Sequence, residues 1–128
     1  MRRHKYNVSK KEERTADNIV FASKWECRAY GLLKQLLGRA YFELQPSYEL
    51  QPKFQFKGKT IRAIKYVGDF LIKTKEEEYV VDTKGIETDV FKIKEKMFKC
   101  KFGKEIVKLK RPSQLVDFIK TLKDIKKC

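Results

Sequence analysis

The sequence predicts an α/β domain, a mixed β-sheet flanked by helices in the order α-β-β-β-α-β-α. Three observations predict it. An apolar stripe at helical spacing runs from Ser23 to Leu37, and residues 48–56, 61–72 and 78–84 are rich in β-branched and aromatic side chains. Two further helical patterns, 88–102 and 112–126, bracket an alternating segment at 105–110. A chain of 128 residues suffices for one modest core and is too short for two.

Met1 to Asp17 carries Arg2, Arg3, His4, Lys5, Lys10, Lys11 and Arg14 with little apolar content. It is expected to be a poorly ordered arm (1–17) ahead of a single domain (18–128). Two readings stand for it: Arg2 and Arg3 lie along a phosphate backbone, or the segment is a solvated tail. His4 is the sole histidine and sits in this segment, so no chemistry is assigned to histidine.

In the first helix Trp25, Ala29, Leu32, Leu33, Leu36 and Leu37 form the inward stripe, and Gly38 ends it. Glu26 lies at the edge of that stripe, in line with Tyr30, Leu33 and Leu37. Ser23-Lys24-Trp25-Glu26 also fits a capping box, in which the glutamate reaches back to the N-cap backbone. Capping and an inward-facing carboxylate are alternative uses of one side chain.

A strand at 48–56 is interrupted by Pro52, which suits an edge or a bulge. Lys57-Gly58-Lys59 turns into a long strand, Ile61 to Ile72; residues 73–77 connect it as a hairpin to Glu78–Lys84. Gly85 bends the chain, and Thr88 or Glu87 caps a helix to about Phe102 whose inward residues are Val90, Phe91, Ile93, Met97 and Phe98. Gly103 closes it. Residues 105–110 form a strand parallel to its predecessor across the helix. Pro112 and Ser113 open a last helix through about Lys126, with Leu115, Val116, Phe118, Ile119, Leu122 and Ile125 inward.

Lys and Arg number 31 against 17 Asp and Glu, a net charge of +14. That excess favours a polyanionic partner, because neutralising phosphates releases counterions. The cysteines, Cys27, Cys100 and Cys128, are odd in number and lack metal-site spacing, which points to no disulfide framework and a reducing cytoplasm. No apolar run is long enough to cross a bilayer and no signal-like region follows the basic start, so neither a membrane nor export is expected.

The chemistry concentrates between Tyr66 and Gly85. Strand alternation puts Asp82 and Lys84 on one face with Val80, and Val81 and Thr83 on the other. Asp69 ends the preceding strand. Strands are depleted in aspartate, so two of them invite a reason. One is a Mg²⁺ site, since this ion takes one or two carboxylates and keeps several waters; the other is a solvated Asp82–Lys84 pair beside the Gly85 turn. Thr88, at a helix N-terminus, and Lys94 are candidates for contacting phosphate.

Glu26 in the first helix, Gly68-Asp69 at a strand end and Asp82-Thr83-Lys84 in the next strand together resemble the PD-(D/E)XK nuclease superfamily. The stretch from about Phe21 to Lys110 is similar to a phage-associated branch, close in layout to Holliday-junction resolvases and transposon end-cleaving nucleases. Gly68 departs from that pattern, which has proline there. The resemblance implies a restriction-endonuclease-like core and a Mg²⁺-dependent endonuclease, with Mn²⁺ able to substitute. It assigns Asp69 and Asp82 to the metal, Lys84 to the attacking water, and Glu26 to a supporting position through water. It further implies DNA as substrate, branched recombination or replication intermediates in particular, a 5′-phosphate product, a two-fold dimer for symmetric cutting, and a host-cytoplasmic location if phage-encoded. A non-catalytic nucleic-acid-binding protein and an RNA nuclease on the same scaffold are the alternatives.

Overall fold

The computed structural model describes residues 9–128. Arg2, Arg3, His4 and Lys5 lie outside the described residues. From Ser9 onward the basic segment is folded: Lys11–Arg14 make a 3₁₀ turn, and β1 (Thr15–Ala16) pairs with β2 (Ile19–Val20) across Asp17 and Asn18. Both of these turn residues have positive φ, as tight hairpin turns require. The Asp17 carboxylate accepts hydrogen bonds from the Tyr30 hydroxyl at 2.7 Å and from Lys34 Nζ at 2.6 Å, holding the hairpin against the first helix.

That helix, α1 (Lys24–Leu36), starts at Ser23, whose hydroxyl accepts from the Glu26 N–H at 3.0 Å. Ala29, Tyr30 and Leu33 are buried along it, and Gly38, at φ 94°, takes the chain out where a side chain would be strained. After a 3₁₀ turn at Arg39–Tyr41 come β3 (Glu43–Leu44), β4 (Ser47–Gln51), β5 (Phe54–Phe56), β6 (Lys59–Ile61), β7 (Ile64–Val67), β8 (Phe70–Lys73) and β9 (Glu78–Thr83). Then follow α2 (Asp89–Phe102), β10 (Val107–Leu109) and α3 (Pro112–Thr121).

The central sheet has the order β10-β9-β8-β3, with β10 parallel to β9 and the other pairs antiparallel. It is therefore a mixed sheet in an α/β domain. β4 and β7 form a separate antiparallel ribbon, and β5 and β6 a further hairpin. Alternation along β9 separates two cores. Val81 packs with Phe70, Ile72, Leu33 and Leu115 among the residues of α1 and α3, whereas Val80 packs with Tyr66, Phe91 and Phe98 against α2.

Several elements differ from their sequence expectation. The segment 48–56 divides at Pro52-Lys53 because proline cannot continue the ladder, and Phe54–Phe56 pairs with Lys59–Ile61 instead of extending β4. The long strand 61–72 is in fact three pieces, broken at Arg62-Ala63 and at Gly68-Asp69. Val90 and Ile93, expected inward, are 62% and 59% exposed, since only a narrow face of α2 meets the second core through Phe91 and Phe98. The last helix stops at Thr121, not near Lys126: Leu122 is extended, and Asp124 has φ 56°. Beyond it the chain runs beside the β8–β9 connection, where Lys75 N–H donates to the Asp124 carbonyl and Lys126 N–H to that of Lys73.

Candidate functional site

Three elements deliver acidic groups to one end of β8 and β9. The break between β7 and β8 is dictated by Gly68. A Cβ there would lie 2.5 Å from Val80 Cγ2, and the Gly68 N–H donates to the Pro46 carbonyl at 2.9 Å. Proline could satisfy neither condition, which accounts physically for glycine at this position. The chain then turns Asp69 out of the ladder. Its N–H is shared between the Val81 carbonyl and Asp82 Oδ1, both at 3.1 Å, so the two aspartates sit side by side. Asp69 Oδ2 accepts from the Thr83 N–H at 2.8 Å and from the Thr83 hydroxyl at 2.7 Å.

Asp82 is 2% exposed. Its Oδ2 accepts from the Tyr66 hydroxyl at 2.6 Å and lies 3.2 Å from Lys84 Nζ. The Lys84 ammonium also stands 3.8 Å from the Phe91 ring centroid, and its backbone N–H is tied to Leu109 in β10. Asp82 and Lys84 thus share the α2-facing side of β9, as strand alternation requires. A neighbouring amine, Lys108, is occupied by Glu87 at 3.2 Å and Glu95 at 2.9 Å.

Glu26 is 4% exposed, although it occupies the first turn of a helix. Burial, then the Asp69 charge, raise its carboxyl to about 7; the Ala22 backbone partly offsets this. The glutamate therefore combines a local backbone contact with a place beside Asp69. Asp69 itself is raised to about 6, by burial and then by the Asp82 charge, against the two Thr83 hydrogen bonds. Burial and the Asp82 carboxylate likewise push the Tyr66 phenol well above its usual range. In a chain of net charge +14, this is a local concentration of carboxylates that, among the described residues, faces one ammonium, that of Lys84. Among the described residues, no three His, Cys, Asp or Glu side chains are close enough to form a ready metal cage.

Glu26, Asp69, Asp82 and Lys84 are thus brought to one locality. Thr88 is exposed and caps α2, its hydroxyl accepting from the Phe91 N–H at 3.1 Å. Lys94 is half-buried on α2 and forms no ion pair among the described residues. Arg2 and Arg3 lie outside them. Sequence reasoning assigned no role to Tyr66 or Thr83. A signal for Tyr66 existed: a phenol on the inner face of a strand needs a partner, and Asp82 is the acid on that face. All three cysteines are free, and no described helix is long and apolar enough to cross a membrane.

Fold and site together define a mixed α/β domain with a buried acidic centre facing one lysine. The chain belongs to the family described as Protein of unknown function (DUF1064), whose model matches residues 3–116 and so spans every residue of that centre. No curated protein and no solved structure gives a significant match.

Proposed function

We propose that the protein is a divalent-cation-dependent endonuclease with a restriction-endonuclease-like core, hydrolysing DNA phosphodiesters. The observation that carries this reading is the Asp69–Asp82 pair, joined through the Asp69 N–H at 3.1 Å, with Lys84 Nζ 3.2 Å from Asp82 and the buried Glu26 carboxyl raised in part by the Asp69 charge. The donor set fits Mg²⁺, or Mn²⁺ in its place: the groups are all carboxylate oxygens, and burial with mutual repulsion raises two of them. A site that keeps most of the ion's waters needs only one or two direct protein ligands, so a closed cage is not required.

Asp69 and Asp82 would hold the ion, with Glu26 acting through water. When bound, the ion supplies Lewis-acid stabilisation of charge developing on the phosphate. Thr83 and Tyr66 fix the two aspartates by donating hydrogen bonds to them. Lys84, steadied by Asp82 and the Phe91 ring, presents an ammonium to the attacking water and to the phosphate's developing negative charge. The exposed N-terminus of α2 at Thr88 is a place for an adjacent phosphate. Branched recombination or replication intermediates, a 5′-phosphate product and a two-fold dimer complete the proposal; cutting two strands symmetrically calls for paired sites.

The test is a cleavage panel of four-way junction, flap, duplex, single strand and RNA, each with Mg²⁺, Mn²⁺ or chelator. Metal-dependent cutting of DNA, strongest on a branched substrate, is expected. Cutting that persists in chelator rejects the metal assignment. A non-catalytic binding protein is the second reading, favoured by the net charge of +14 and by the lack of a ready three-ligand cage among the described residues. DNA binding with no cutting of any substrate would favour it, and RNA-only cutting would favour an RNA nuclease.

A further inference from the structure

The β5–β6 hairpin stands outside both cores, and all six of its paired residues are exposed. Lys57 and Gly58 turn it, with φ 48° and 77°. Its register places Phe54 opposite Ile61 and Phe56 opposite Lys59, so these four share one face. The other face is closed by Gln55 Nε2 donating to Thr60 Oγ1 at 2.7 Å. Phe54, Phe56 and Ile61 are 41%, 56% and 39% exposed. An isolated two-stranded ribbon is marginally stable at best, and two exposed phenylalanines on it are a liability unless something covers them. Lysines alone would protect the edges; that purpose does not call for the phenylalanines.

Charge identifies what covers them. From Gln51 to Gly68 the chain carries Lys53, Lys57, Lys59, Arg62 and Lys65 and no acidic residue. A second copy of the hairpin would bring like charges together, so self-association is disfavoured. A polyanion with apolar surface between its charges is complementary. We propose that the β5–β6 hairpin is a duplex-DNA-binding ribbon, its lysines on the phosphates and its Phe54–Phe56 face against sugars and bases. A two-stranded ribbon has the width the major groove admits. The inference rests on the nucleic-acid part of the proposed function and extends it to a surface. Fully extended, the chain from Gly58 to Gly68 spans at most about 33 Å, and a duplex repeats in roughly 34 Å. The ribbon therefore meets DNA within about one helical turn of the carboxylates.

The test is fluorescence anisotropy on the full chain in chelator, with a labelled duplex a few helical turns long, titrated across salt concentrations. Lys57→Glu with Lys59→Glu is expected to weaken binding about tenfold and to lower the slope of log K against log salt by about two. Lys120→Glu with Lys123→Glu, an equal charge change on α3 and the segment after it, should cost less than about threefold by long-range screening. Phe56→Ser should weaken binding with the salt slope unchanged. Equal losses from both lysine pairs, wild-type affinity in the hairpin variants, or no duplex binding by the wild type would each overturn the inference. So would hairpin-dependent preference for RNA or single strands, or a change of oligomeric state confined to the hairpin variants. The readout needs no cleavage: an inactive wild type that shows the hairpin effect leaves this inference standing and removes the nuclease, and an active wild type with hairpin-neutral binding does the reverse.

Discussion

The Tyr66 hydroxyl donates a 2.6 Å hydrogen bond to Asp82 Oδ2, the oxygen that also lies 3.2 Å from Lys84 Nζ. The phenol and the ammonium hold one buried carboxylate oxygen between them, and β7 is thereby tied to β9 at the point where the ladder breaks.

Tyr66→Phe keeps the ring's packing against Phe98 and Phe91 and deletes this bond alone. Hydrogen bonds to buried charges contribute about 1.5–3 kcal/mol, so the urea midpoint should fall with the slope unchanged. Under the proposed function, cleavage should fall as well, with a higher Mg²⁺ requirement, because Asp82 is less firmly oriented. An unchanged midpoint would show that the bond does not contribute to stability.

Gly68→Ala should destabilise by about 1–3 kcal/mol, the cost of overpacking, since its Cβ would meet Val80 Cγ2 at 2.5 Å. Val80→Ala makes room. The double variant should therefore be more stable than the sum of the two single losses by about 1 kcal/mol or more in a double-mutant cycle. Gly68→Pro should be worse than Gly68→Ala, because it also removes the N–H donated to Pro46. Simple additivity would contradict the close approach.

Glu26 and Asp69 have folded-state values raised to about 7 and about 6, from ordinary values of 4.5 and 3.8. A carboxyl raised on folding binds its proton more tightly in the native state, so stability falls as pH rises from the unfolded value to the folded one. In chelator, unfolding free energy should decline between about pH 4 and 7 by several kcal/mol, since each tenfold change in proton affinity is worth about 1.4 kcal/mol. Glu26→Gln should flatten the upper part of that decline. If the proposed cation binds here, protons and Mg²⁺ compete for the same oxygens, so added Mg²⁺ should restore stability at neutral pH, and the acid limb of cleavage should move to lower pH as Mg²⁺ increases. A stability that rises across this window would contradict the burial of these carboxyls.

Lys84→Ala removes the ammonium facing Asp82 while leaving the carboxylates in place. Preorganised charge of this kind is worth about a hundredfold or more in rate, so cleavage should drop by that order while affinity for duplex in chelator changes little. Equal losses in binding and in rate would make Lys84 a binding residue only.

Much of this centre was legible from residue order. Two-residue periodicity alone put Asp82 and Lys84 on one side of a strand with Val80, and a polar run at 73–77 announced the antiparallel return that sets Asp69 beside Asp82. The caps Ser23 and Thr88 were legible too, because short hydroxyls at helix starts have a local purpose. What was not legible depends on tertiary contacts. β-Branched and aromatic residues spread from Ile61 to Ile72 conceal the two breaks, since only the proximity of Val80 to Gly68 requires the second. Lys57-Gly58 was read as the entry to that strand, whereas its two positive φ angles close a separate hairpin. The apolar stripe of α2 is wider than the surface it meets, so Val90 and Ile93 are left outside.

The most direct measurement compares wild type with Asp82→Asn, which keeps the side chain's shape and removes its charge. Each is incubated with labelled four-way junction and duplex DNA in Mg²⁺ and in chelator, with binding followed in parallel. Metal-dependent cutting by the wild type is expected, with none by Asp82→Asn and equal or tighter DNA binding by the variant, since a negative charge is gone. Cleavage by Asp82→Asn at the wild-type rate would contradict it.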